Sequence, residues 1–320
     1  MKVLVTGGAG FIGSHVVEQF QGRARVCVLD NLRTGARKNL AGLDCELIEG
    51  SITDEASVKK AVSGADFVFH LAAMVSVPES MTQPRECVEW NVTGLLNVLR
   101  ASADAGVRKL VLASSAAVYG DNPTVPKLET MIPEPRSPYA ITKLDGEYYG
   151  ALFAREGWLP TACLRFFNVF GPRQNPRSAY AAAVPVFMEK ALAGEPLDIF
   201  GDGGQTRDFI AVKDVVSALD FVASNDEASG VFNCGYGRAT TILALAEEII
   251  RLAGSSSTIV HHPPRPGDVR HSLASVARLT ALGWKPAGNL AEGLRETLAA
   301  VRNPDPWRAA GLRIPSDSQP

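Results

Sequence analysis

Lys2-Val-Leu-Val-Thr-Gly7-Gly8-Ala9-Gly10-Phe11-Ile12-Gly13 opens as a short apolar run, turns on glycines spaced three apart, and passes into a helical pattern that lasts through Phe20. Strand, glycine turn, helix is the layout of a phosphate-binding turn. Gly7 lets the chain turn tightly, Gly10 lets the backbone approach a pyrophosphate, and Gly13 lets the helix pack on the strand, leaving the first helical amides aimed at an anion. A second apolar strand, Arg25 to Leu29, ends at Asp30. A carboxylate there is placed to accept hydrogen bonds from the adenosine ribose and repels a 2′-phosphate, which favours NAD over NADP. Arg33, three residues on, works against that preference.

Outward from the turn, strand and helix patterns alternate. Strands are expected at 46–49, 67–71, 109–113 and 161–167, and helices at 54–62 and about 85–105. Continuous apolar strands in this alternation predict an α/β fold with a doubly wound parallel sheet, whose ligands sit at the carboxyl ends of the strands. Two of those ends carry small and polar residues, His70-Leu71-Ala72-Ala73 and Ser114-Ser115-Ala116-Ala117-Val118-Tyr119-Gly120. The next helix starts at Ser137-Pro138-Tyr139-Ala140-Ile141-Thr142-Lys143. Ser137 suits the N-cap and Pro138 the first turn, so Tyr139 and Lys143 fall one turn apart on one face. That puts a phenol beside an ammonium. A useful phenolate fraction at neutral pH needs a shift of roughly 3 units, or about 4 kcal/mol, and a cation about 4 Å away contributes ~4 kcal/mol at an effective dielectric near 20.

After Phe167 the chain grows rich in Pro, Gly and Arg, with helices near 185–193, 242–252 and 290–301. The expected organisation is a cofactor domain from 1–170 plus about 211–236, a smaller mixed α/β substrate domain from about 171–210 plus 237–303, and a tail over 304–320. The chain has 320 residues, is 46% hydrophobic and carries a formal charge of −2, enough for a large core and without the basic stripe that nucleic acid requires. No apolar run approaches the ~18 residues of a membrane span, and the strand at Lys2 follows no signal peptide. Five scattered cysteines, 27, 45, 87, 163 and 234, read as reduced core thiols of a cytoplasmic protein. No metal site is expected, and His261-His262 reads as a solvated loop.

These motifs resemble those of the extended short-chain dehydrogenase/reductase family and, within it, the nucleotide-sugar 4-epimerases, from Met1 to about Val301. The likeness rests on Thr6 to Gly13, Asp30-Asn31-Leu32, His70 to Ala73, Ser114 to Gly120, Tyr139-x-x-x-Lys143, Arg165-Phe-Phe-Asn-Val-Phe-Gly171, Gly201-Asp-Gly…Arg207-Asp-Phe209 and Arg265-Pro-Gly-Asp268. The UDP-N-acetylglucosamine 4-epimerases look nearest, through Arg173-Gln-Asn-Pro with Ala179-Tyr-Ala-Ala and Gly267-Asp-Val-Arg-His-Ser272.

The resemblance implies a Rossmann fold, NAD as cofactor, a UDP-sugar as substrate and a homodimer through the helices at 85–105 and 139–156. It implies that Tyr139 is the base on the sugar 4-hydroxyl, that Ser115 binds the same oxygen, and that Lys143 holds the nicotinamide ribose and lowers the tyrosine. Cofactor contacts are implied at Gly7, Gly10, Phe11, Ile12, Gly13, Asp30, Asn31, Ser51, Ile52, Leu71, Ala72, Ala73, Tyr139 and Lys143. Substrate contacts are implied at Ser76, Ser115, Tyr139, Asn168, Arg207, Arg265, Asp268 and Ser272. Two positions depart from the family: Gly50-Ser51-Ile52 replaces Gly-Asp-Ile at the adenine contact, and Val75 stands where galactose-specific relatives carry lysine.

Related dehydratases and decarboxylases place a further carboxylate just after the active-site hydroxyl, where this chain has Ala116 and Ala117; a methyl cannot exchange protons. A UDP-glucuronate 4-epimerase would need Arg173 or Arg177 to meet the sugar carboxylate. A non-catalytic nucleotide sensor on the same fold would be expected to lose Tyr139 or Lys143, and both are present.

Overall fold

The computed structural model describes residues 1–176, 182–264 and 269–303. In its first half the elements are β1 (Lys2–Thr6), α1 (Phe11–Gln19), β2 (Arg25–Asp30), β3 (Glu46–Glu49), α2 (Glu55–Val62), β4 (Phe67–His70), α3 (Val77–Thr82), α4 (Pro84–Val88), α5 (Gly94–Asp104), β5 (Lys109–Ser115), α6 (Pro138–Arg155) and β6 (Thr161–Phe166). The helix expected over 85–105 is present but carries a π-helical turn at Glu89–Thr93 between α4 and α5. Then follow β7 (Asn168–Phe170), α7 (Ala183–Ala193), β8 (Leu197–Phe200), β9 (Thr206–Arg207), β10 (Phe209–Ala211), α8 (Val212–Ser224), β11 (Gly230–Cys234), β12 (Thr240–Thr241), α9 (Ile242–Ala253), β13 (Ile259–His262), α10 (Ala277–Ala281) and α11 (Leu290–Arg302).

Seven strands form a parallel sheet in the order β11-β6-β5-β4-β1-β2-β3, so the chain winds out from β1 in both directions. Period-two alternation divides its side chains between two layers. Val3, Val5, Val26, Val28, Phe67 and Phe69 pack with α1 and α8 on one face, while Leu4, Cys27, Leu29 and Val68 pack with α2 and α5 on the other. Each fully buried Val, Leu or Phe contributes about 1.5–3 kcal/mol, so the middle strands hold the carboxyl edge of the sheet in a fixed place. A third apolar cluster joins Phe170 to α7, β8, α9 and α11 beyond that edge. His261 and His262 are not in a solvated loop as the sequence suggested. They lie in β13, parallel to β8, and His262 Nε2 is 2.7 Å from Asp198 Oδ1.

Candidate active site

The glycine turn is shaped by what stands close to it. Gly7 sits at φ +72°, and a Cβ there would lie 2.7 Å from the Ala72 nitrogen; a Cβ on Gly13 would lie 2.1 Å from the Gly7 carbonyl oxygen. Both positions therefore exclude side chains. Gly10 is the N-cap of α1 and offers no side-chain acceptor, which leaves first-turn amides for an anion. Phe11 and Ile12 carry the start of α1 onto the core, half-buried.

Asp30 ends β2 beside the glycine turn and is 7% exposed. Its Oδ2 accepts from the Ala9 amide (2.9 Å) and Oδ1 from the Leu32 amide (2.8 Å), and each oxygen keeps a lone pair for a ribose hydroxyl. Burial pushes this carboxyl up, opposed by those two amides. Leu32 is held at φ 58°, a left-handed conformation costing a non-glycine residue about 1–2 kcal/mol, and the Asp30 bond is what holds it. Asn31 is exposed and accepts from the Arg33 amide (3.1 Å). Ser51 Oγ lies 2.7 Å from Thr53 Oγ1, and Ile52 is buried against Gly94. Leu71, Ala72 and Ala73 continue β4 past Gly7 and are half-buried. A cleft with two glycines that admit no Cβ, uncapped helical amides and a carboxylate with lone pairs to spare fits a dinucleotide.

The catalytic side is built on β5 and α6. Ser137 caps α6 by accepting from the Ala140 amide (3.2 Å), and Tyr139 follows with its own amide donated to Ser80 Oγ (3.2 Å). Ser115 ends β5 and accepts from the Ala117 amide (3.1 Å), and its side chain opposes the upward push of burial on the Tyr139 phenol. Lys143 donates from Nζ to the Ala113 carbonyl (2.8 Å) and lies 5.7 Å from the centre of the Tyr139 ring. The structure thus brings Ser115, Tyr139 and Lys143 together. Burial pushes the phenol up, and Ser115 opposes that shift. Burial also lowers the Lys143 ammonium to about 8, so it stays mostly charged near neutral pH.

Several supporting residues escaped the sequence reading. Asn91, in the π-helical turn, donates to the Met74 carbonyl (3.0 Å) and Thr142 Oγ1 (3.0 Å) and accepts from the Met74 amide (2.7 Å). It ties the segment after β4 to the helix that carries Tyr139. His70 Nδ1 lies 2.9 Å from Thr6 Oγ1, and burial, helped by the Lys143 charge, lowers its ring to about 3. Glu147, one turn beyond Lys143, accepts from Ser114 Oγ (2.5 Å) and from Arg165 Nε (2.8 Å) and Nη2 (2.6 Å). Ser114 is therefore structural, and Ser115 alone of the pair faces the tyrosine. The available signal was polar residues on otherwise apolar helix faces.

Across the cleft, Asn168 donates its amide to the Asp208 carbonyl (2.9 Å), which brings β7 beside the segment of Arg207. Arg207 Nη1 donates to the Thr206 carbonyl (2.8 Å). Ser272 is half-buried and donates its amide to the Thr206 carbonyl (3.1 Å), which brings its main chain beside the residue that precedes Arg207. Ser76 caps α3 by accepting from the Glu79 amide (3.2 Å), and Val75 beside it is exposed. Arg265, Asp268 and Arg177 lie outside the described residues. Arg173 does not stand ready for a sugar carboxylate. It pairs with Glu18 of α1 and reaches the Asn39 carbonyl, on the far flank of the glycine turn.

Comparison with known proteins agrees with this geometry. Residues 3–235 match the model of the NAD dependent epimerase/dehydratase family. A UDP-glucose 4-epimerase of Mycolicibacterium smegmatis is 38% identical over 95% of this chain and 99% of its own. A UDP-N-acetyl-alpha-D-glucosaminuronate decarboxylase of Bacillus cytotoxicus is 37% identical over 94% of the chain and 98% of its own. Among solved structures, UDP-N-acetylglucosamine 4-epimerase from Methanobrevibacter ruminantium, in complex with UDP-N-acetylmuramic acid, superposes with a TM-score of 0.91 at 38% identity, covering 95% of this chain and 98% of that one.

Proposed function

The chain belongs to the NAD dependent epimerase/dehydratase family, and from that premise we propose that it inverts C4 of a UDP-hexose through a 4-keto sugar. The preferred pair is UDP-GlcNAc and UDP-GalNAc, with UDP-glucose and UDP-galactose turned over less efficiently. The observation that carries the reading is the Ser115–Tyr139–Lys143 constellation set beside the glycine turn, with Ala116 and Ala117 directly after the serine. NAD, when bound, supplies reversible acceptance of the C4 hydrogen as hydride. Tyr139 takes the proton of the 4-hydroxyl and later returns it, and Ser115 hydrogen-bonds the same oxygen and relays the proton. Lys143 binds the nicotinamide ribose and, through its charge and that of the oxidised ring, favours phenolate at the moment of reaction. Gly7, Gly10 and Gly13 with Phe11 and Ile12 hold the pyrophosphate, while Asp30 and Asn31 hold the adenosine ribose. Ile52 and Leu71 to Ala73 line the ring pockets.

Asn168, Arg207, Arg265 and Asp268 are assigned to the UDP, with Ser76 beside the sugar. Ser272 leaves room in the pocket wall for an acetamido group. Decarboxylation and dehydration are disfavoured because Ala116 and Ala117 stand where those reactions need an acid/base, and Glu147, the carboxylate behind Ser114, is committed to Arg165. The glucuronate alternative loses one of its two proposed anchors, since Arg173 is paired with Glu18, and rests on Arg177.

We assign residues 1–170 with 211–236 to the cofactor domain and the rest through 303 to the substrate domain. A homodimer through the helices at 85–105 and 139–156 is supported by the exposure of Val88 (47%), Ile141 (48%) and Tyr148 (61%) on those elements. Among the described residues no helix is long and apolar enough to cross a membrane, and the free cysteines favour a reducing compartment such as the cytoplasm. NMR of UDP-GlcNAc, UDP-glucose and UDP-glucuronate, each incubated with the purified protein without added cofactor, tests the reading. The expected products are the 4-epimers, with UDP-GlcNAc converted fastest and no UDP-xylose from UDP-glucuronate. Pentose formation would contradict the role given to Ala116 and Ala117.

A further inference from the structure

Arg33 occupies a place in the fold that neither the phosphate turn nor the catalytic triad explains. β1 lies between β2 and β4, so the glycine turn after β1 is flanked by the loop after β2 on one side and the segment after β4 on the other. Arg33 departs from the first flank. Both of its side-chain partners come from the second: Glu79 of α3 accepts from Nη2, and the ring of Trp90 in the π-helical turn lies 4.2 Å from the guanidinium carbon. The contact therefore spans the dinucleotide cleft. It is only partly open to water, with 36% and 24% of the Arg33 and Glu79 side chains exposed.

The backbone aims this arginine. Asp30 Oδ1 holds Leu32 in its left-handed conformation, and Asn31 Oδ1 accepts from the Arg33 amide. The carboxylate assigned to the ribose thus also sets the direction of the side chain that crosses above it. With its charge engaged by Glu79 and its face against Trp90, Arg33 is turned toward α3 rather than toward a phosphate on the ribose at Asp30.

We propose that Arg33, Glu79 and Trp90 form a strap over the adenosine half of NAD and set how slowly the cofactor leaves. The inference rests on the reading of this cleft as the NAD site. An epimerase returns the hydrogen it removes and needs no exchange of cofactor between turnovers, so a closure that slows release costs nothing in rate. The strap combines an ion pair with a cation–π contact, two interactions that strengthen one another when water is kept from the guanidinium.

The test is release of NAD from the purified holoprotein, followed by exchange into an excess of isotopically labelled NAD. Arg33→Ala, Glu79→Gln and Trp90→Leu are each expected to speed release about three- to tenfold, the size appropriate to one partly exposed ion pair or one cation–π contact. Trp90→Phe, which keeps a ring, should remain close to wild type. Release from the wild type should quicken as salt rises from about 0.05 to 0.5 M, and Glu79→Gln should show less of that dependence. Glu79→Gln keeps the volume of a partly exposed side chain, so it reads the strap even where Trp90→Leu fails to fold. Full NAD content with equal release rates in wild type, Arg33→Ala and Glu79→Gln would overturn the strap and leave the cofactor site standing. A wild-type protein that carries no NAD and takes up none would overturn the cofactor site itself.

Discussion

The two walls of the ligand cleft are held by different means. On the catalytic wall the polar groups are buried and, apart from Arg165 Nη1, matched: Tyr139 donates its amide to Ser80, Lys143 reaches the Ala113 carbonyl, Asn91 is engaged by Met74 and Thr142, and Glu147 is locked between Ser114 and Arg165. On the opposite wall, the segments 201–207 and 269–272 are joined by main-chain bonds between Thr206, Arg270 and Ser272 and by an exposed Arg270–Asp202 ion pair. A buried, hydrogen-bonded network fixes one geometry, while exposed pairs and main-chain bonds leave side chains free to be exchanged. The first wall suits a proton transfer that tolerates little displacement, and the second suits discrimination among sugars. Substitutions should therefore separate into losses of chemistry or folding on one side and changes of preference on the other.

Tyr139→Phe should produce the largest effect. Removing the positioned acid/base should cost about 10²- to 10⁴-fold in turnover, with NAD still bound in the purified variant. Near-wild-type epimerisation by this protein would remove Tyr139 from the mechanism. Next in size, Glu147→Leu should leave Arg165 buried without its carboxylate and cost about 3–5 kcal/mol in urea unfolding. Glu147→Gln, which keeps an acceptor for Ser114, should lose less. If both variants unfolded with the wild type, the network would not be what holds this wall.

On the second wall, Ser272→Tyr should lower kcat/KM for the acetamido sugars roughly 10- to 100-fold, from a clash of ~1–3 kcal/mol, while the plain hexoses survive. Equal loss on both substrate pairs would erase the proposed division between the walls. The smallest effect belongs to His70, whose burial lowers its ring to about 3. In the unfolded chain a histidine titrates near ~6.5, so below that pH the unfolded state binds a proton that the folded state refuses, and stability falls as the pH drops from about 6.5 toward about 3. Between about pH 6.5 and 5.5 the wild type should lose about 1 kcal/mol more than His70→Asn, which does not titrate. Parallel stability curves for the two proteins would show that another group sets the acid limb.

Much of the catalytic wall was legible because its signals are local. The apolar run into three spaced glycines can only be a strand entering a tight turn, and Ser137-Pro138 marks a helix start that fixes Tyr139 and Lys143 on one face. What escaped depends on partners distant in sequence. Asn91 meets Met74 and Thr142, and Ser80 meets Tyr139, at separations that no period of 2 or 3.6 encodes. The direction of Arg33 was ambiguous for the same reason, since it is decided by Glu79, 46 residues away. His261-His262 read as loop because two polar residues end a short run, whereas pairing with β8, with His262 beside Asp198, makes them strand. Helical spacing gives the proximity of Lys143 and Tyr139 but not their burial, which is the larger influence on both groups.

The most direct measurement starts from UDP-GlcNAc carrying deuterium at C4, incubated with the purified protein in ordinary water without added cofactor. If hydrogen leaves C4 and returns to it inside one closed site, the label will remain at C4 in both UDP-GlcNAc and the UDP-GalNAc formed from it. Loss of the deuterium to solvent during epimerisation would contradict the account.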